Sequence, residues 1–146
     1  MVNSHVAEAL AHAALRFDDA LLRQKTAAFI TAFIHMLFDG GKLERPTCFE
    51  HYNPLTGKAS RYRGVDDYQH SWIVALIIKY AAGIRPHHTG VTIDPFPFDL
   101  ENLHIDGVPV RGHYLGITRT GPRFTVRVDG DETAASELGT PVLLTV

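Results

Sequence analysis

An α+β fold follows from two patterns that divide the chain at about residue 83. Up to that point apolar residues recur at helical spacing; beyond Gly83, short apolar runs alternate with polar residues between Gly, Asp and Pro turn signals. A third observation sets the scale. With 146 residues, 45% of them apolar, the chain has room for one helical piece and one small sheet but not for two full enzymatic domains. The expected architecture is helical hairpins over residues 1–83 and a small antiparallel β module over 84–146.

In the first helix Val6, Leu10, Ala14 and Phe17 keep helical spacing, with Asn3 or Ser4 as cap and Glu8 in the early turns. Asp18 and Asp19 interrupt this pattern and cap a second helix. There Leu22, Phe29, Phe33 and Leu37 form one stripe, widened by Ile30, Ile34 and Phe38, and Gly40-Gly41 closes the helix. The two make an antiparallel hairpin with a very short connection. Residues 39–66 hold four glycines and two prolines without periodicity, which predicts a long loop of the kind that usually carries function. A third helix is expected from Asp67 to Ala82, apolar nearly all round and so buried on more than one side, with Asp66 and Asp67 at its positive end. Arg61 and Arg63 pair with those aspartates or hold the loop.

Strands are expected at Val91–Ile93, at Leu103–Ile105 and Val108–Val110 around an Asp106-Gly107 hairpin turn, and at Tyr114–Arg119 facing Arg123–Val128. Val142–Thr145 closes the sheet. Such a sheet is too small to stand alone, so it is expected to pack on the helices.

Composition excludes several functions. The 14 basic and 16 acidic residues are mixed along the chain, with no basic block for nucleic acid or an anionic membrane. The longest uncharged run, Thr26 to Phe38, falls short of the roughly 20 residues a membrane-spanning helix needs. Cys48 is the single cysteine, so neither an internal disulfide nor a CxxC site is available. No signal peptide opens the chain, and a cytoplasmic location follows if Met1 is the natural start. Nine histidines raise the question of a metal, but His87-His88 are adjacent and no His-x-His or His-Glu-x-x-His spacing occurs, so no metal is expected. Gly40-Gly41 lacks the continuation of a phosphate loop, which leaves no cofactor expected. His70 and Ser71 are neighbours on a helix whose side chains point apart, and no Gly-x-Ser-x-Gly elbow is present.

The stretch Phe49 to Gly57, FEHYNPLTG, carries the most chemistry. It sets Glu50 between an aromatic and the imidazole, phenol and amide of His51, Tyr52 and Asn53, just ahead of a turn. Ring faces stack on the apolar faces of pyranoses while such polar groups satisfy hydroxyls, so the company suits sugar chemistry.

FEHYNPLTG, followed by RYRGVDDYQHSWIVALIIKY, resembles the C-terminal part of (α/α)6-barrel glycoside hydrolases, the group of processing α-glucosidases and mannosylglycerate hydrolases and, more distantly, trehalases. The resemblance covers about residues 2–83. It implies hydrolase activity in carbohydrate metabolism, by inverting cleavage of an α-glycosidic bond. Glu50 would be the general base, with Tyr52 and Trp72 walling the sugar subsite. Asn3 matches the end of the family's W-x-x-x-N segment and would contact substrate. Inverting hydrolysis also needs a general acid about 6.5 to 9.5 Å from the base, and the family's acidic residue has no counterpart in this sequence. A partial toroid is therefore expected, a C-terminal fragment that self-associates or meets a partner chain completing the barrel, with an oligosaccharide or glycoside as substrate. The alternative is a non-catalytic carbohydrate-binding or structural module.

Overall fold

The computed structural model describes residues 2–38, 42, 44–46, 48–60 and 72–146. It is an α+β chain in two compact units, Met1–Leu76 and Ile77–Val146. No helix among the described residues is long and apolar enough to cross a membrane.

In the first unit, α1 (Val2–Arg16) and α2 (Ala20–Met36) form the expected hairpin. Alanine-rich sequence favours α1 intrinsically, and Arg16 in its last turn complements the helix dipole. Its buried face is Ser4, Ala7, Ala11 and Ala14, a stripe of small side chains that lets α2 approach closely. Ala14 of the expected stripe is buried, but Val6 and Phe17 are exposed, and the buried positions are instead Ala7, next to Val6, and Ala11, next to Leu10. Asn3 and Ser4 lie inside the first turn rather than capping it.

Asp18 takes a left-handed conformation (φ 48°) and turns the chain. Asp19 then caps α2, its Oδ1 accepting the Leu22 N–H at 2.9 Å. Ile30, Phe33 and Leu37 are buried as the apolar stripe requires. Two threonines inside α2 bond back one turn, Thr26 Oγ1 to Leu22 O at 2.7 Å and Thr31 Oγ1 to Ala27 O at 3.0 Å, which satisfies the buried Thr26 hydroxyl. The Gly40-Gly41 terminator lies outside the described residues.

The third helix is described from Trp72. It comprises α3 (Trp72–Leu76), which packs on α1, and next in the chain a π-helical turn, Ile77–Ala81, in which Ala82 N donates to Ile77 O at 3.0 Å. Burial on several sides does not hold for α3, since Trp72 and Val74 are exposed and only Leu76 is buried. Arg61, Arg63, Asp66, Asp67, His70 and Ser71 fall outside the described residues.

The second unit holds two antiparallel sheets where one was expected. β1 (Ile84–His87), β2 (Gly90–Ile93) and β7 (Val142–Leu144) form one in the order β1-β2-β7. β3 (Asn102–Val110), β4 (His113–Thr120), β5 (Arg123–Val128) and β6 (Asp131–Glu137) form a four-stranded meander. The sheets share one core: Ile84, Val91 and Ile93 from the first join Val110, Leu115, Ile117, Phe124 and Val126 from the second. Each sheet thus supplies the other's apolar partner, joined by Ile78 of the π-helical turn and by Ala82.

Asp106-Gly107 is also not a hairpin turn. It is a β-bulge within the continuous β3, where the register slips between Ile105 and Val108 and Gly107 supplies φ 69°. Among the hairpin turns, Arg111-Gly112 and Asp129-Gly130 each have two positive φ values, the geometry of tight turns that match strand twist.

Arg119 shares the core-facing side of β4 with Leu115 and Ile117 and is 5% exposed. Its Nε donates to Gly121 O at 2.8 Å and its Nη2 to Phe98 O at 3.0 Å, while Nη1 is buried with no hydrogen-bond partner among the described residues. Burial pushes its pKa down from the ordinary arginine value.

Candidate functional site

The loop that carries Glu50 is a tight, hydrogen-bonded hairpin. Tyr52 and Ala59 form an antiparallel bridge, with Asn53 N donating to Lys58 O at 2.8 Å and Ser60 N to His51 O at 2.9 Å. The tip is built on Asn53. Its backbone oxygen accepts Gly57 N–H at 2.8 Å, and its side-chain Oδ1 accepts the N–H groups of Leu55 at 2.9 Å and Thr56 at 3.0 Å. Gly57 takes φ 67° to close the turn. On the upstream side the Tyr52 phenol oxygen accepts the Phe49 N–H at 2.9 Å, fixing the chain one residue before Glu50. A string of turn-forming residues (Asn53, Pro54, Thr56, Gly57) therefore folds locally and holds the carboxylate at the edge of a small rigid element.

This hairpin forms one wall of a cleft of about 570 Å³, within the range of small-molecule sites. Val2 and Asn3 come from the first turn of α1, Phe33 and Met36 from the last turns of α2, and Glu50 to Pro54 with Gly57 from the loop. Among the described lining residues Glu50 is the one carboxylate. Its side chain is about one-third exposed, with His51 Nε2 at 3.8 Å from Oε1. Apolar side chains (Val2, Phe33, Met36) and polar ones (Asn3, His51, Tyr52, Asn53) together can hold an amphipathic ligand beside a carboxylate that accepts protons or hydrogen bonds.

Three of the four site residues expected from sequence, Asn3, Glu50 and Tyr52, meet at this cleft. Trp72 is not among the described lining residues. Its indole N–H donates to Glu8 Oε2 at 3.3 Å, and its ring meets the His5 ring edge-on with centroids 4.6 Å apart. Glu8, more buried than Glu50, also lies 3.4 Å from His12 Nε2. Phe33 and Met36 were not expected at a site. The signal for Phe33, a place at the end of the α2 stripe near the loop, reads equally well as packing.

Three of the four histidines of the second unit have a local side-chain hydrogen-bond partner. His87 Nδ1 meets Thr89 Oγ1 at 3.0 Å, His104 Nδ1 meets Thr118 Oγ1 at 3.0 Å, and His113 Nδ1 meets Asp129 Oδ2 at 2.7 Å. Among the described residues no three His, Cys, Asp or Glu side chains converge as metal ligands would. No protein-family model, curated protein or solved structure matches the chain.

Proposed function

We propose that the first unit contributes the general-base half of an inverting glycosidase site for an α-linked glycoside or oligosaccharide. The observation that carries this reading is the meeting of Glu50, Tyr52 and Asn3 in one cleft, together with the apolar Phe33 and Met36. In the reaction Glu50 takes a proton from water as the water oxygen attacks the anomeric carbon. The glycosidic bond breaks on the opposite face, where an acid protonates the leaving oxygen. That acid is supplied from beyond the described lining residues, by further helices of an (α/α)6 toroid or by a partner chain. Trp72, engaged with Glu8 and His5, orients α3 on α1 and is a sugar contact only in the completed site.

The second reading is a carbohydrate-binding module that does no chemistry, and Glu50 being the one carboxylate among the described lining residues favours it. Leaving-group chemistry separates the two. Fluoride departs without protonation, so α-glucosyl fluoride needs the base and not the acid. The expected outcome is slow fluoride release with β-glucose as the first product, seen by proton NMR and lost in Glu50→Gln. Equal release by both proteins sinks the general-base assignment. Sugar binding without release from either selects the binding module.

A further inference from the structure

We infer that Asn53 is a specificity-determining residue of the cleft, one that presents amide N–H donors to a hydroxyl oxygen of a neutral saccharide. The inference rests on the carbohydrate reading above and assigns it a residue and a direction of hydrogen bonding. A carboxamide ordinarily offers an oxygen acceptor and a nitrogen donor in either orientation. Here the choice is made by the protein: the two groups facing the side chain are the backbone N–H groups of Leu55 and Thr56, which only donate. The atom turned towards them is therefore the oxygen, and it is occupied twice.

With the oxygen so occupied, the nitrogen is the amide atom turned away from the Leu55 and Thr56 N–H groups, on a residue that is exposed. Asn53 lines the same cleft as Glu50. Its backbone is clamped at both its N–H, to Lys58 O, and its oxygen, from Gly57 N, each at 2.8 Å. Two side-chain bonds fix the amide on top of that. Little rotamer freedom remains to be lost on binding, which favours a directional contact.

The chemistry of the ligand follows from the pair. Glu50 accepts and Asn53 donates, a combination suited to hydroxyl groups, which do both. An anionic acceptor would satisfy Asn53 equally well but would stand in the field of the Glu50 carboxylate. A neutral saccharide avoids that repulsion.

Asn53→Asp and Asn53→Ser separate the turn from the donor. Either side-chain oxygen still accepts the Leu55 and Thr56 N–H groups, whereas neither variant offers an amide, and serine adds no charge. The test titrates the whole chain and both variants with a panel of α-linked gluco- and manno-disaccharides and with a glucuronide, by calorimetry and by NMR of the Asn53 side-chain NH2. For a neutral disaccharide the expected result is a moved NH2 resonance in the native protein and binding weaker by roughly three- to tenfold in both variants. Variant binding as tight as native, or an NH2 resonance unmoved while Tyr52 and His51 shift, overturns the assignment of Asn53 alone. Tighter binding of the glucuronide overturns the neutral-ligand class. Failure of the native protein to bind any of the sugars overturns this inference and the carbohydrate reading together.

Discussion

At the scale of single residues, the hydrogen bonds around Glu50 set what each neighbour does. Tyr52 is a fastening as well as a wall, because its phenol oxygen holds the Phe49 N–H. Tyr52→Phe removes that acceptor and leaves a part-buried donor unmet, so stability should fall by about 1 kcal/mol in urea titrations. If Glu50 is the base, fluoride release should fall as well, since the carboxylate loses its anchor. Asp129 provides a second residue-scale prediction, in the other unit. The Tyr114 N–H and then His113 hold its carboxyl below its ordinary value, outweighing the opposing effect of desolvation. Its folded pKa therefore lies below its unfolded one. The associated stability is present above roughly pH 4, the unfolded value, and is lost as pH falls through the folded value. Urea midpoints measured from pH 5 down to pH 2 should show this loss in the native protein and less of it in Asp129→Asn.

At the scale of elements, caps and glycines dominate what can be tested. Asp19→Ala deletes the side-chain acceptor for Leu22 N–H and should cost α2 about 1 kcal/mol. Gly83→Ala should be far worse, because φ is 77° and a Cβ there would clash with the backbone of Asp94 and Pro95. Gly57 also has a positive φ but meets nothing within 4 Å, so Gly57→Ala should suffer only backbone strain, on the order of 1 kcal/mol. Thermal melts of the two alanine variants should rank in that order. The hairpin α1–α2 is legible in the sequence because Asp18-Asp19 is both a break and a cap, and because the Ile30, Phe33 and Leu37 stripe has no competing explanation. The face of α1 is not. Val6 and Phe17 are more apolar than Ala7 and Ala11, yet close helix approach selects small side chains, a preference hydropathy does not register. Polar strands hide for a similar reason: β6, with the sequence DETAASE, carries no apolar alternation and forms because the Asp129-Gly130 turn returns the chain onto β5. At the site, local sequence was enough for Glu50, Tyr52 and the turn behind them. Trp72 depended on tertiary placement, and there the indole turned to Glu8.

At the scale of the whole molecule, large apolar side chains of the first unit meet solvent: Val6 in α1, Phe17 just after it, and Leu21 at the start of α2 are all exposed. If the first unit is part of a larger helical toroid, these are side chains that further helices would cover. The chain should then self-associate as its concentration rises, and Phe17→Glu should shift sedimentation towards the monomer. A concentration-independent monomer would argue for a self-sufficient unit and weaken the toroid reading.

The sheets would behave differently in such an assembly. Edge strand β1 carries Pro86, edge strand β3 carries Pro109 and the bulge at Asp106-Gly107, edge strand β6 carries Asp131, Glu132 and Glu137, and edge strand β7 is only three residues long. Missing N–H groups, broken register, like charges and short length each deny an incoming strand a template. Oligomers of this chain should therefore be helical contacts that dissolve on dilution, with no thioflavin signal and none of the permanence of a cross-β fibre.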